Sequence, residues 1–458
     1  MLRSLLIQDR RKHLTLAAAS LGYGIVQLDV TIVNVAVASI GHSFGAQIVS
    51  LQWIVTTYKL AFAALILAAG SLGDRLGAKR VFACGFAVFT AASLACALAP
   101  SVPFLIGCRA VQGIGAAILV PNALSLLNHA YSDHRERAWA VAIWAAGAST
   151  ALIAGPLVGG ALIVTVGWRA IFLVNVPIGL AGIALVFSFT SETPKSSEGH
   201  LDLPGQFTGV IFLGSLCAAI IEGGQLGWTS PLVLATFAAA VLTILLFIGI
   251  EWRAERPMLP LSLFQRSAFS VSSAIGLMVN IAFYGLIFVL SLYFQELSYW
   301  SPIRTGLGFV PMLSAVLIAN LLVPRITQKV GGRAMITLGT AIMGGACVWL
   351  LKVDAATTYL HLVGQFVALG AGLGLLVPPL TSMLLGSVDK SQSGIASGVL
   401  NAMRQLGSVL GVALFGAMIS AHRLLAGLRI SLVISIMLLF ASSALVIVSR
   451  KNGRLPRS

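Results

Sequence analysis

The sequence predicts an all-α membrane protein with fourteen spans, arranged as two six-helix bundles plus two additional helices. Three observations predict it: the composition, the length of the apolar runs, and the placement of the basic residues. The chain of 458 residues is 58% hydrophobic and 9% charged, whereas soluble domains are about 45–50% apolar and about 25% charged. A soluble fold of this length could not hide that much apolar surface, so a bilayer is the consistent solvent.

A span needs about 20 apolar residues. Fourteen stretches meet this requirement, at 13–39, 50–71, 80–100, 103–128, 138–163, 169–190, 205–225, 230–250, 269–294, 304–326, 334–353, 358–386, 393–420 and 427–449. The connectors at 100–103 and 164–168 are short, and merging two stretches there would change the count by one. The opening "MLRSLLIQDRRKH" is basic but leads into a full span with no small-residue cleavage site, so a signal peptide is not expected. The expected organisation is a tail at 1–12, a six-helix bundle at 13–190, a connector with two additional helices at 191–265, a second six-helix bundle at 266–449 and a basic tail at 450–458. Cys84, Cys96, Cys108, Cys217 and Cys347 all fall inside spans. They are scattered, with no metal-ligand spacing, and read as small core residues rather than a disulfide framework.

The net charge of +15 could suggest a nucleic-acid partner, but its distribution argues otherwise. Of the 29 Lys and Arg, 21 fall in the termini and loops of one side, and 5 in the opposite loops (Arg169, Arg304, Lys352, Arg423, Arg429). The other three, Lys59, Arg109 and Arg404, lie within spans. This is the positive-inside pattern. It places both termini in the cytoplasm and makes anionic lipid, not nucleic acid, the expected partner of the basic loops.

Two pairs of segments suggest an internal duplication. "GSLGDRLGAKR" (70–80) aligns with "PRITQKVGGRA" (324–334), so that Arg75 meets Lys329, Gly77 meets Gly331 and Lys79 meets Arg333, while Asp74 meets Gln328. "GIGAAILVP" (113–121) aligns with "GAGLGLLVP" (370–378) in the same register and sets Arg109 opposite Phe366. The scaffold glycines are shared and the charges are not, which points to the first half for ion chemistry. The seventh and eighth spans then form an insertion between the repeats.

"LDVTIVNVA" (28–36) puts Asp29 at the centre of the first span. An ionised Asp there costs about 2.5–3.5 kcal/mol on insertion scales, so it needs a partner, a wet cavity or a proton. Gln27, Thr31 and Asn34 form a polar stripe, and Asp29 lies about 200° from Gln27 around the helix. The first span is therefore expected to be surrounded by protein. Asp29 reads either as a group that binds and releases a proton or as one half of a fixed ion pair. Arg109 in "GCRAVQGIGAAILVP" (107–121) is the leading partner, with Gln112 one turn on; the alternative is a structural cation bonded to carbonyls. In "GASTALIAGPLVGG" (147–160), Gly147, Gly155, Pro156, Gly159 and Gly160 read as a pivot and close seal, or as ordinary small-residue packing. In "GSLGDRLGAKR", Gly70 and Gly77 frame a turn. There Asp74, with Arg75, Lys79 and Arg80, can form a salt-bridge latch, whereas the basic residues alone would serve topology. Arg404, flanked by Asn401 and Gln405, looks like a polar node, Lys59 could snorkel or pair with Asp29, and Glu222 reads as structural. No metal motif, nucleophile–base pair or Walker-type GxxxxGK[ST] is visible, so an enzyme is not expected.

Taken together, these stretches resemble the fourteen-helix drug:proton antiporters of the major facilitator superfamily, over nearly the whole chain. "LDVTIVNVA" is similar to the family's first-span motif and "GSLGDRLGAKR" to its loop motif. "RAVQGIGAA" is similar to the fourth-span motif and "GASTALIAGPLVGG" to the antiporter motif of the fifth. "GWRAIFLVNVPIG" (167–179) and "GIASGVLNAMRQLG" (394–407) also resemble family stretches, and "IEGGQLGW" (221–228) resembles methylenomycin-resistance-type exporters of bacteria. The resemblance implies proton-coupled export by alternating access in a bacterial inner membrane, with no cofactor and the proton gradient as energy source. It implies protonation at Asp29, proton transfer at Arg109 and gating at Asp74. Two departures stand out: Val37-Ala38 replace the usual Leu-Pro, and Lys59 replaces a leucine-like residue. Expected cavity residues are Gln27, Thr31, Asn34, Tyr58, Gln112, Asn280, Tyr284, Gln365 and Arg404. The expected partners are a small-molecule substrate, protons and lipid, and a monomer is expected. Export of an endogenous metabolite or a lipid-like compound on the same fold, or a membrane sensor without transport, are the alternatives.

Overall fold

The computed structural model describes residues 2–194, 202–254, 257, 259–354, 357–388 and 393–452. Lys195, Arg256, Lys390, Arg454 and Arg457, counted above on the basic side, lie outside the described residues, as does most of the tail expected at 450–458. The helices, in chain order, are α1 (Leu2–Phe44), α2 (Ile48–Leu76), α3 (Ala78–Ala97), α4 (Val102–Ala130), α5 (His134–Thr165), α6 (Ala170–Leu173), α7 (Asn175–Phe189), α8 (Leu203–Leu226), α9 (Pro231–Arg253), α10 (Ser267–Leu292), α11 (Pro302–Val330), α12 (Gly332–Leu350), α13 (Tyr359–Leu385), α14 (Ser393–Ala421) and α15 (Leu424–Asn452). A 3₁₀ turn at Leu261–Gln265 precedes α10 and a π-helical turn at Tyr293–Leu297 follows it. No strand occurs among the described residues.

Fourteen of these segments, with α6 and α7 counted together, are long and apolar enough to cross a membrane. Most helices run a few residues beyond the expected spans, and two departures are larger. The first helix begins at Leu2 rather than at 13, so the expected tail is a helical continuation of α1. The hydrogen-bond ladder of the sixth span is interrupted at Val174, between α6 and α7, although the residue keeps helical dihedrals (φ −60°, ψ −27°). Pro177 supplies the reason: it has no N–H to give the carbonyl of Leu173 four residues back.

Contacts divide the chain into two units, Met1–Val210 with Ser301–Gly306, and Ile211–Trp300 with Leu307–Ser458. The boundary falls inside α8, within the expected connector 191–265.

In the first unit α4 packs between α2 and α3, and glycines set the distance of approach. A methyl group on Gly113 would collide with the carbonyl oxygen of Tyr58 on α2. One on Gly115 would sit 2.7 Å from the amide nitrogen of Phe89 on α3. The second unit repeats this through its own residues. Gly370 on α13 faces the carbonyl of Met312 on α11, and a methyl on Gly372 would lie 2.6 Å from the carbonyl oxygen of Gly339 on α12. The turn glycines also correspond: Gly77 (φ 98°) opens α3 and Gly331 (φ 89°) opens α12, both in the left-handed region that a side chain disfavours. Each unit therefore contains the same three-helix packing, at the positions where the sequence aligns with itself.

A second seam is duplicated in the same way. Methyl groups on Gly155 and Gly159 of α5 would approach the carbonyls of Leu28 (3.0 Å) and Ile32 (3.3 Å) on α1. Gly407 and Gly411 of α14 face the carbonyls of Leu277 and Ile281 on α10. By that register Asp29, next to Leu28, corresponds to Met278, next to Leu277.

Pro156 in this seam frees the carbonyl of Leu152, four residues back. The hydroxyl of Thr31 on α1 reaches that oxygen at 3.1 Å, sharing its proton with the carbonyls of Gln27 and Leu28 on its own helix, each at 3.2 Å. A donor lent by a neighbouring helix is how an apolar medium tolerates proline in mid-span. Thr31→Val is therefore expected to destabilise the protein by about 1–3 kcal/mol, the cost of an unsatisfied buried acceptor. In a Pro156→Ala background the backbone N–H returns and the cost of Thr31→Val should shrink. Thermal unfolding of the four purified proteins checks this; an equal loss in both backgrounds would refute the pairing.

Candidate functional site

The largest fully buried side chain is Arg109, on α4 at 1% exposure. Its partner is Asp29 of α1, at 0% exposure. Arg109 Nη1 donates to Asp29 Oδ2 at 2.5 Å. The same nitrogen reaches Gln112 Oε1 at 2.6 Å, and Arg109 Nε donates to the carbonyl of Ile54 on α2 at 3.2 Å. The guanidinium lies 4.2 Å from the ring centroid of Tyr58 and 5.8 Å from that of Phe172. A cation over an aromatic face gains most where water is excluded, and both rings are fully buried.

The carboxylate is equally enclosed. Gln112 Nε2 donates to Asp29 Oδ1 at 2.9 Å and to Ser93 Oγ of α3 at 2.8 Å. Asn175, the first residue of α7, donates through Nδ2 to the same Oδ1 at 3.3 Å. Five elements of the first unit thus converge on one acid: α1 supplies it, α2 the Ile54 carbonyl and the Tyr58 face, α3 Ser93, α4 Arg109 and Gln112, and α7 Asn175. Burying both charges is expensive, and removing one partner of such a pair typically costs about 3–5 kcal/mol.

The structure brings Asp29, Arg109 and Gln112 together, with Asp29 and Arg109 in an ion pair. It separates the remaining candidates. Thr31 stands in the α1–α5 seam bonded to Leu152, and Asn34 donates to its own helix at Val30 O, 2.8 Å away. Both are buried in helix packing rather than placed on an open surface. Gln27 is half-buried on α1. Lys59 follows Tyr58 on α2 and is 1% exposed. Asn280, Tyr284, Gln365 and Arg404 belong to the second unit. There Asn280 donates to Gly276 O at 2.7 Å, Tyr284 packs edge-on against Phe283, Gln365 is buried and Arg404 runs past Gly276. Glu222 is half-buried on α8. In α5, Gly147 lies near Ser20 and Gly160 near Ile303 of the segment that clusters with the first unit, and the helix runs unbroken through Pro156.

Asp74 and Arg75 are exposed, Gly70 meets Pro121 on α4, and the acid that engages the α2–α3 turn is Glu192, after α7. Glu192 Oε1 accepts from the amide of Lys79 at 3.0 Å, and its other oxygen lies 3.6 Å from Arg80 Nε. Thr193 Oγ1 accepts from the amide of Ala78 at 2.8 Å. The two side chains cap N-terminal amides of α3 that have no partner within the helix, and Lys79 Nζ returns to the carbonyl of Phe187 at 3.3 Å. The turn is closed from a segment more than a hundred residues away, for which the local pattern carried no signal.

An ion pair sealed inside a bundle of apolar helices defines an integral membrane protein organised around buried charge. A model of the Major Facilitator Superfamily matches residues 19–412. The methylenomycin A resistance protein of Streptomyces coelicolor is 36% identical over 412 residues, covering 90% of this chain and 86% of that protein. The protein of the same name from Bacillus subtilis is 36% identical, covering 88% and 87%. The multidrug resistance protein Stp of Mycobacterium tuberculosis is 34% identical, covering 90% and 77%. Among solved structures, a bacterial homologue of the human lysosomal transporter Spinster superposes with a TM-score of 0.67 at 18% identity, over 98% of this chain and 99% of that one. The nucleoside transporter NupG superposes with a TM-score of 0.66 at 10% identity, over 95% and 99%. The chain belongs to the Major Facilitator Superfamily and is a multi-pass membrane protein.

Proposed function

We propose that the protein exports small amphiphilic compounds, antibiotics among them, in exchange for protons. The relatives named for methylenomycin and multidrug resistance support the substrate class. The buried Asp29–Arg109 pair is the observation that carries the coupling. A proton on Asp29 and a full charge-assisted bond to Arg109 exclude one another. Protonation therefore releases the guanidinium, and deprotonation recaptures it. A ligand that prefers one of these states shifts the equilibrium toward it, which is the thermodynamic requirement for exchange. Alternating access by the two units, in a bacterial inner membrane with both termini in the cytoplasm, completes the reading. The positive-inside distribution of Lys and Arg supports that orientation.

The same charges suggest a preference among substrates. The first unit buries Arg109 and Lys59 in its spans, and its central acid is already engaged by Arg109. Neutral or anionic compounds fit such an interior better than organic dications. Purified protein in vesicles with an imposed pH gradient should accumulate uncharged or carboxylated antibiotics, and an uncoupler should stop it. Transport of divalent organic cations alone, or flux indifferent to the uncoupler, would overturn the proposal.

A further inference from the structure

We propose that Asn175 is the switching partner of Asp29: its side-chain amide donates to the ionised carboxylate and, turned over, accepts the proton-bearing form. This rests on the reading of Asp29 as the proton-binding group and assigns a positioning role to a residue outside the recognised charge pair.

The argument is one of donors and acceptors. An ionised carboxylate accepts only, whereas a protonated one must also donate an O–H. In the ionised arrangement Asp29 accepts from Arg109, Gln112 and Asn175. After protonation its new O–H needs an acceptor in a site with no exposed surface. Gln112 is poorly placed to provide one. Its Oε1 takes the bond from Arg109 Nη1 and its Nε2 bonds Ser93, so its orientation is fixed from both ends. The carbonyl of Ile54 is engaged by Arg109 Nε. Asn175 differs. It is 0% exposed, its bond to Asp29 is the longest of the three at 3.3 Å, and its Oδ1 has no hydrogen-bond partner. A buried amide oxygen without a donor is costly, and a rotation of the amide would bring it onto Asp29 in place of Nδ2.

Asn175 begins α7 two residues before Pro177, which leaves the carbonyl of Leu173 without its ladder partner. The other ionisable groups around the pair are Tyr58 on α2 and Cys96 on α3, which interact with both Asp29 and Arg109, and Lys59 on α2, which interacts with Arg109. Arg169, on the turn before α6, is directed elsewhere, donating to the carbonyl of Ala99 at 3.0 Å. Protonation adds one proton to one carboxylate oxygen. The proton sits on Oδ1, the oxygen that faces Asn175; Oδ1 keeps a lone pair for Gln112 Nε2, and the bond from Arg109 to Oδ2 loses its charge assistance.

Infrared difference spectroscopy of the full-length protein in lipid, stepped between acidic and neutral pH, tests the proposal. The carboxyl band of Asp29 is the one removed by Asp29→Asn. In wild type with isotopically labelled asparagine side chains, an amide carbonyl band should shift together with that carboxyl band and vanish from the difference spectrum of Asp29→Asn. In Asn175→Leu the ionised acid loses its longest bond but keeps Arg109 and Gln112, whereas the protonated acid loses the one acceptor proposed for its O–H; the second loss is the larger, so its proton affinity should fall, by about tenfold at most. Asn175→Ser, which both donates and accepts, should recover most of that loss. An Asp29 band that titrates alike in wild type and Asn175→Leu, or no asparagine band coupled to it, would overturn the role of Asn175 alone. A spectrum with no carboxyl band lost in Asp29→Asn would overturn the underlying assignment of Asp29, and this proposal with it. The labelled wild type gives an answer even if Asn175→Leu does not fold.

Discussion

Asp29→Asn is expected to abolish accumulation driven by a pH gradient, down to the level of protein-free vesicles, while substrate counterflow at equal pH persists. An asparagine copies the shape of the protonated acid and cannot release a proton, so it holds the site in one protonation state. Exchange of substrate for substrate needs no change in that state; coupled export does. Wild-type accumulation in this variant would show that the proton is carried elsewhere. The same substitution should also destabilise the fold. It leaves the guanidinium of Arg109 with Gln112 Oε1 and the Ile54 carbonyl but no counter-charge, at a cost of about 3–5 kcal/mol. Removing both charges in Asp29→Asn/Arg109→Gln should restore much of the stability and none of the coupling, because an uncharged, hydrogen-bonded core avoids the uncompensated cation. Unfolding measurements and the flux assay on the single and double variants separate the two effects. Recovery of gradient-driven export in the double variant would contradict a coupling role for the pair.

Much of this site was legible because its signals are one-dimensional. Fourteen apolar runs of sufficient length mark the spans, and Asp29 and a few cations within them stand out against hydrocarbon. The repeated glycines were equally readable, because a backbone seam tolerates no side chain and keeps the same spacing in both halves. What escaped depends on closures across long stretches of chain. Asn175 sits in an apolar run where one amide is unremarkable until α7 is folded against α1. Glu192 and Thr193 look like connector residues until the chain returns to the start of α3. Thr31 was read by polarity, as a cavity residue, when the decisive fact was the carbonyl that Pro156 frees on a different helix. The interrupted ladder at Val174 was announced by Pro177, but a proline near a span boundary reads as an end more readily than as an interruption.

The duplicated seams make one further prediction, which bears on why only one half carries charge. Gly113→Ala and Gly370→Ala place the same methyl group at corresponding positions, against the carbonyls of Tyr58 and Met312. Neither oxygen is at the end of a flexible side chain, so in each case two helices must separate, and overpacking of this kind costs about 1–3 kcal/mol. Both variants should therefore lose stability by similar amounts. Their effects on coupling should differ. Gly113 touches the residue whose ring covers Arg109, and moving α2 away from α4 disturbs both that stacking and the bond from Arg109 to Ile54. In the second unit the corresponding positions hold Phe366 and Met278, which have no charge to misplace. Folded Gly113→Ala protein is expected to leak: substrate movement per molecule should become largely insensitive to the pH gradient. Folded Gly370→Ala protein should keep its coupling ratio. Flux normalised to folded protein, with thermal unfolding in parallel, measures both. Equal loss of coupling in the two variants would mean that the seam acts through packing alone, and that the asymmetry between Asp29–Arg109 and Met278–Phe366 does not localise the ion chemistry.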